Sequence, residues 1–185
     1  MKFLNGKNFF MLCMVSCLTS FSISASAQSL SGEDIRAQFT TDWARAKAYT
    51  MDYLNAMPAD KYSFKAVDSI RSFAQQMLHL ASGTISLMGV ATGEKTQWPK
   101  GLENSATAQT KDSVVYYVMK SYDFALLGLK NMDISKLGEL AGAGDRKVTR
   151  YSWLLKGFEH QTHHRGQTTI YIRLLGIRPP GERLF

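Results

Sequence analysis

The sequence predicts an all-α fold, a four-helix bundle with two long connections. Only four prolines and 14 glycines occur in 185 residues, which disfavours architectures built from many turns. Apolar side chains recur at spacings of three and four residues in four separate segments, and this is the period of one helix face. No segment alternates apolar and polar residues as a half-buried strand does. Four apolar stripes of this kind are expected to meet in one shared core.

Residues 1–27 have the pattern of an export signal. Lys2 and Lys7 precede a short apolar run, and small residues at positions 25–27 suit cleavage directly after them. We therefore expect a periplasmic or secreted protein whose mature chain forms a single domain at residues 28–185.

Two other interpretations of this segment rank below cleavage. A transmembrane anchor needs about 20 apolar residues, whereas this run is shorter and is interrupted by Ser16, Thr19 and Ser20. Lipid attachment at Cys17 is the other alternative, but the residues before it match a lipoprotein cleavage box poorly. No stable membrane span is expected in the mature chain.

Charge and cysteine content disfavour several classes of site. The 22 basic residues less Lys2 and Lys7 leave 20 against 15 acidic ones, a mature net charge of +5. The basic residues are scattered rather than clustered with aromatic ones, so no nucleic-acid partner is expected. Cys13 and Cys17 both lie in the export signal, so a disulfide, a thiolate metal site and a cysteine nucleophile are all excluded from the predicted mature chain.

The four helices are predicted from their stripes and their end signals. Ser31 is a candidate N-cap of the first helix and Pro58 ends it, while Gly93 ends the second. Thr149 is a candidate N-cap of the fourth, which stops before Pro179. The predicted helices cover about residues 32–56, 68–90, 111–132 and 149–175.

Two connections are long for a compact bundle. Residues 92–110 are polar and show no period, so we expect a loop that covers one end of the domain. Residues 131–148 are rich in glycine, and a short helical turn is expected within them at 134–140.

The four histidines all lie in predicted helices. His160 and His164 are four residues apart and therefore share one helix face, a spacing that lets two imidazoles bind one cation. His163 points about 60° aside from His160. His79 lies in a seam of polar and small residues on the second helix. That seam either faces water or lines a groove where His79 meets the pair, and periodicity leaves both open.

Two stretches of sequence resemble the DinB-like (DinB/YfiT) superfamily. The C-terminal signature is carried by HQTHHRGQ at residues 160–167 and YIRLLGIRPP at residues 171–180. YSFK at residues 62–65 and IRSFA at residues 70–74, which lead to His79, are similar to that family's entry into its second helix. The resemblance covers essentially the whole mature chain.

The resemblance implies a four-helix bundle that holds a divalent metal ion through His79, His160 and His164. His163 would be a hydrogen-bonding or pocket-lining neighbour. Relatives often pair through their helices, so a homodimer is an expectation as well. Some relatives are thiol-dependent transferases or metal-dependent hydrolases, and an export signal disfavours cytosolic thiols as substrates.

Three imidazoles leave at least one coordination position open for water or a substrate. Zn or Ni is expected, with Fe, Cu or Mn as alternatives, because imidazole suits several transition metals. We expect a metal-dependent hydrolase or transferase acting on a small molecule that the sequence does not name. Glu159 is a candidate general base, although a solvated helix residue is the more ordinary interpretation.

Two alternatives to an enzyme stay open. The first is a non-catalytic module that binds a metal ion or a small molecule. The second is a structural or dimerising bundle whose histidines face solvent. A di-iron oxidase is disfavoured, since the chain has no paired Glu-x-x-His motifs.

Overall fold

The computed structural model describes residues 29–185 and confirms the all-α fold; the predicted export signal lies outside the described residues. The helices, numbered in chain order, are α1 Gly32–Ala56, α2 Phe73–Thr92, α3 Lys111–Asn131 and α4 Arg150–Leu174. Two short strands, β1 Leu140–Ala141 and β2 Val148–Thr149, pair antiparallel. Within residues 29–185 no helix is both long and apolar enough to span a membrane.

Side-chain caps determine where the helices begin. Ser31 caps α1 and Thr149 caps α4, as the sequence predicts. The start predicted for α2, near residue 68, is wrong by about one turn of helix. Ser72 and Gln75 form a capping box there, each side chain bonding to the other's backbone N–H, and this begins the helix at Phe73.

The apolar spacing of the second helix predicts a core stripe of Ile70, Phe73, Met77, Ala81, Thr84 and Met88, and the later start of α2 corrects its first member. Ile70 has the spacing of the apolar stripe of α2, but it precedes the helix and is 36% exposed. The five other residues of that stripe are buried: Phe73, Met77, Ala81, Thr84 and Met88.

The helix α2 is the central element of the bundle, because it packs extensively against both α3 and α4, whereas α1 packs mainly on α3. Gly157 allows α4 to approach α2 closely: a Cβ there would lie 2.8 Å from the sulfur of Met88. The core is closed by large side chains that are almost fully buried, among them Trp43, Tyr62, Phe73, Tyr122 and Leu154.

The first long connection, residues 93–110, packs along α2 and α3. It contains two short 3-10 helices, Leu102–Asn104 and Ala106–Gln109. The indole N–H of Trp98 donates to Ser82 Oγ of α2 at 3.1 Å. These contacts bring the polar side chains of the connection next to the polar seam of α2.

The second connection contains the predicted helical turn, as a 3-10 helix at Ile134–Lys136, but the strands β1 and β2 were not predicted. Each strand has only two residues, which is too short for an alternating pattern to be visible. The indole of Trp153 donates to the carbonyl of Ala141 at 3.1 Å and ties this ribbon to α4.

Arg165 of α4 is buried and has a structural role. Its guanidinium donates to Gln161 Oε1 at 2.9 Å and to Thr50 Oγ1 at 3.3 Å. It also lies 4.6 Å from the ring centroid of Tyr49, a favourable cation–π geometry. With the side chain only 6% exposed, Arg165 links α4 to α1 and points away from the histidine face.

Candidate metal centre

Three histidines from two helices converge on one point. His79 of α2 and His160 and His164 of α4 each offer a nitrogen, and these three nitrogens lie within 4.8 Å of one another. The ring centroids are 4.4 Å apart for His160 and His164, 4.6 Å for His79 and His164, and 5.5 Å for His79 and His160. The polar seam of α2 therefore lines a groove against α4. We call these residues the three-histidine cluster.

Gly83 makes room for His160 at this crossing of helices. A Cβ at position 83 would lie 2.8 Å from His160 Nδ1 and closer still to two other atoms of the imidazole. Any larger residue would overlap the ring. Because Gly83 has no side chain, the His160 ring can lie between α2 and α4.

Hydrogen bonds orient the ring of His164. Its Nδ1 lies 3.0 Å from Gln167 Oε1 and 2.7 Å from Gln76 Nε2, and the Gln76 amide also donates to Gln167 Oε1. The single Nδ1 makes one of these bonds at a time: with a lone pair it accepts from the Gln76 amide, and when it carries the proton of a neutral imidazole it donates to Gln167 Oε1. In the second case Nε2 of His164 carries the lone pair that can bind a metal ion.

His79 is held by an acidic residue that sequence reasoning missed. Glu103 Oε2 lies 2.8 Å from His79 Nδ1. Glu103 belongs to the 3-10 helix Leu102–Asn104 in the first long connection. That connection has no period, so spacing gives no signal for the contact. Metal-binding histidines usually donate to a carboxylate. This general rule predicts an acidic partner for His79 but does not say which acidic residue it is.

Electrostatics keep the pair on α4 in the neutral form that a metal ion requires. Burial, with added repulsion from His164 and His79, lowers the pKa of His160 to about 4. Burial and then the nearby His79 lower the pKa of His164 to about 4 as well. Both imidazoles therefore have an available lone pair at neutral pH.

The donor set fits a divalent transition metal. Among residues 29–185, the buried Nδ1 of His160 has no hydrogen-bond partner, and an unpaired buried polar atom is costly unless it gains a ligand. Three convergent imidazoles are ligands typical of Zn, Ni, Cu or Fe sites. The three-histidine cluster could therefore hold a metal ion.

Known proteins share the sequence pattern and the fold of this chain. The DinB family model matches residues 27–183. The chain belongs to the DinB family. No match was found among the curated proteins.

Two solved structures show the DinB-like fold. The chain is similar to a DinB-like protein from Bacillus cereus ATCC 10987, with 18% identity and a TM-score of 0.68 over 80% of this chain and 97% of that one. It is also similar to a DinB-like protein from Bacillus subtilis, with 19% identity and a TM-score of 0.60 over 80% and 96% of the two chains. At these identities the similarity establishes the fold.

A cleft of about 810 Å³ opens beside His164 in this DinB family protein. Gln76, Gln167 and Tyr171 line it together with His163, whose ring lies 4.8 Å from that of His164. The remaining charged and polar lining comes from Lys65, Asp68, Ser69, Arg71 and Gln75. A small molecule in this cleft would lie next to the three-histidine cluster.

Glu159, the candidate general base, is placed elsewhere. It is exposed and lines a separate groove between α1 and α4, together with Phe39 and Leu155. It does not line the cleft beside His164. The more ordinary interpretation, a solvated helix residue, agrees with this position.

Proposed function

We propose that this DinB family protein is exported, binds a divalent metal ion through His79, His160 and His164, and uses it for hydrolysis or group transfer on a small molecule. The observation that carries the proposal is the convergence of the three imidazoles beside an open cleft. Three protein ligands leave a coordination position for water or substrate, whereas structural zinc sites are usually closed by four.

Residues that pack against the cluster position its imidazoles. Gln76 and Gln167 orient His164, and Gly83 admits the ring of His160. A bound ion would supply Lewis acidity toward a water molecule or a substrate oxygen or sulfur. The cleft residues would position the substrate next to the cluster.

Zn or Ni is the metal that we propose. The cluster itself contains no carboxylate, and hard ions such as Mg or Ca prefer oxygen ligands. Imidazole ligands also suit Fe and Cu, and Mn is the least favoured alternative. Elemental analysis of the protein purified from its own host would identify the ion.

The decisive experiment measures metal content in the mature protein and in histidine variants. Stoichiometric metal is expected in the wild-type protein, with a large loss in His79→Ala, His160→Ala and His164→Ala. His163→Ala is the matched control, since this histidine lies on the same helix but outside the cluster, and it should retain the metal. Substoichiometric metal in every one of these proteins would refute the metal site.

A second candidate function is a non-catalytic binding module. One observation favours it, namely the shortage of carboxylates that could act as a general base in the cleft. Among residues 29–185, Asp68 is the one carboxylate that lines the cleft. Glu103 is bonded to His79, and Glu159 lines a separate groove. Panels of esters, amides and thiol conjugates separate the two functions. Metal-dependent turnover supports the enzyme, whereas ligand binding by the loaded protein without turnover supports the module.

Export is tested by sequencing the N-terminus of protein recovered from the periplasm or the medium. A chain that begins at Gln28 supports a cleaved signal at residues 1–27 and a mature domain at residues 28–185. A lipid-modified chain that begins at Cys17 would contradict cleavage after residue 27 and would support a membrane-anchored lipoprotein.

A further inference from the structure

We propose that Glu103 is a positioning residue for the metal centre, acting through His79. Its carboxylate orients the imidazole of His79 and places the proton of the ring on Nδ1, so that Nε2 faces the other two histidines. This inference rests on the proposed function, because it presupposes that the three-histidine cluster binds a metal ion.

The contact itself defines the protonation pattern of the ring. Glu103 Oε2 lies 2.8 Å from His79 Nδ1, and an ionised carboxylate can only accept a hydrogen bond. The proton of a neutral His79 is therefore on Nδ1, and the lone pair is on Nε2. Without Glu103 the ring could adopt either tautomer and could rotate away from the cluster.

The connection that carries Glu103 is itself anchored. Leu102 is buried in the core, and the Gln109 side-chain amide donates to the Glu103 carbonyl at 3.0 Å. On its other side, Glu103 Oε1 lies 3.7 Å from a guanidinium nitrogen of Arg71. The carboxylate is thus held between a cation and the imidazole, with 26% of the side chain exposed.

Within the part of the chain that the structure describes, the other two histidines have no anionic partner. His164 is bonded to the amides of Gln76 and Gln167, and His160 Nδ1 has no partner among residues 29–185. Glu103 is therefore the carboxylate that these residues supply to the cluster. A carboxylate bonded to a ligand imidazole raises its basicity and offsets part of the charge of a bound divalent ion.

The test measures Zn²⁺ affinity of the mature protein by competition with a chromophoric chelator. Glu103→Ala is expected to weaken binding by about 10–100-fold, the usual effect of losing such a partner. Glu103→Gln keeps an acceptor oxygen without the charge, so its affinity should lie between those of Glu103→Ala and the wild type. The matched control is Glu94→Gln, in the same connection, because the Glu94 carboxylate bonds to Asn131 and not to a histidine.

A second measurement separates positioning from a general structural effect. In the Zn²⁺-loaded wild type, NMR should show a slowly exchanging His79 Nδ1–H proton, which Glu103→Ala should lose. Urea denaturation of the metal-free variants should match the wild type. Partial recovery of both the affinity and the proton signal in Glu103→Gln would support the role.

The failures of the two proposals are distinguishable. If Glu103→Ala binds Zn²⁺ as tightly as the wild type, Glu103 has no positioning role, while the metal site stands. If the wild type and the Glu94→Gln control both fail to bind Zn²⁺, the proposed function is wrong and the role of Glu103 fails with it.

Discussion

Gly83→Ala tests whether close approach of α2 and α4 creates the metal centre. The new Cβ would lie 2.8 Å from His160 Nδ1 and closer to two other ring atoms, so the imidazole must swing out of the cluster. Alanine favours a helix by about 1 kcal/mol over glycine, and displacing a packed ring costs about 1–3 kcal/mol. These opposing terms leave the stability of the metal-free protein little changed or modestly lowered.

The effect of this variant on metal binding should be much larger. Loss of a residue that is hydrogen-bonded to a metal ligand typically lowers metal affinity by about 10–100-fold. Gly83→Ala displaces one of the three ligands themselves, so its effect on affinity should be larger. We expect Zn²⁺ affinity to fall by at least about 100-fold, or about 2.8 kcal/mol at 1.4 kcal/mol per tenfold.

Isothermal titration calorimetry with Zn²⁺ and urea denaturation of the metal-free protein measure the two quantities. Gly89→Ala is the control on the same helix: its Cβ would lie 3.3 Å from the carbonyl oxygen of Glu94, a contact that involves no histidine. It should bind Zn²⁺ like the wild type. If Gly83→Ala binds Zn²⁺ with wild-type affinity, the space at Gly83 is not required for His160 to bind the ion, and the reasoning is refuted.

The framework around the centre can be tested by urea denaturation of the metal-free protein. Arg165→Met removes the buried donor to Gln161 and should lower the free energy of unfolding by about 2 kcal/mol, without changing metal stoichiometry. Ser72→Ala removes the N-cap of α2 and should cost about 1 kcal/mol. Stability should also fall as the pH drops from 6.5 to about 4, because His160 and His164 have lowered pKa values in the folded protein and the unfolded chain binds more protons in that range.

Each of these expectations has a contradicting result. An unchanged urea midpoint in Arg165→Met would mean that the guanidinium contributes nothing to the α1–α4 contact, and the same result in Ser72→Ala would mean that the cap is dispensable. A pH profile that is flat between 6.5 and 4, or equally steep when His160 and His164 are both replaced by Asn, would contradict the burial of neutral imidazoles.

Local signals were sufficient for most helix boundaries. The N-cap Ser31 and the αL glycine Gly93 act within one turn of the helix. The helix α1 therefore lies where the sequence predicts, and α2 ends at Thr92, directly before Gly93 and slightly beyond the predicted residue 90. The start of α2 was predicted too early because Ile70 continues the apolar spacing, whereas the capping box at Ser72 begins the helix. Periodicity records which side chains could share a face, not where the backbone adopts the helix.

Two of the three histidines of the candidate metal centre are brought together by the helical repeat alone. His160 and His164 share a face of α4 wherever that helix packs, because a spacing of four residues is close to one turn. His79 lies near this pair only because a particular face of α2 packs against α4. The close contact between Gly83 and the His160 ring belongs to the same packing. The position of Glu103 depends on the path of an aperiodic connection anchored by Leu102 and Gln109. The spacing within one helix is determined by the local sequence. The contacts of His79 with the α4 pair and with Glu103 join residues far apart in the chain, so they form only when the tertiary structure packs these segments together.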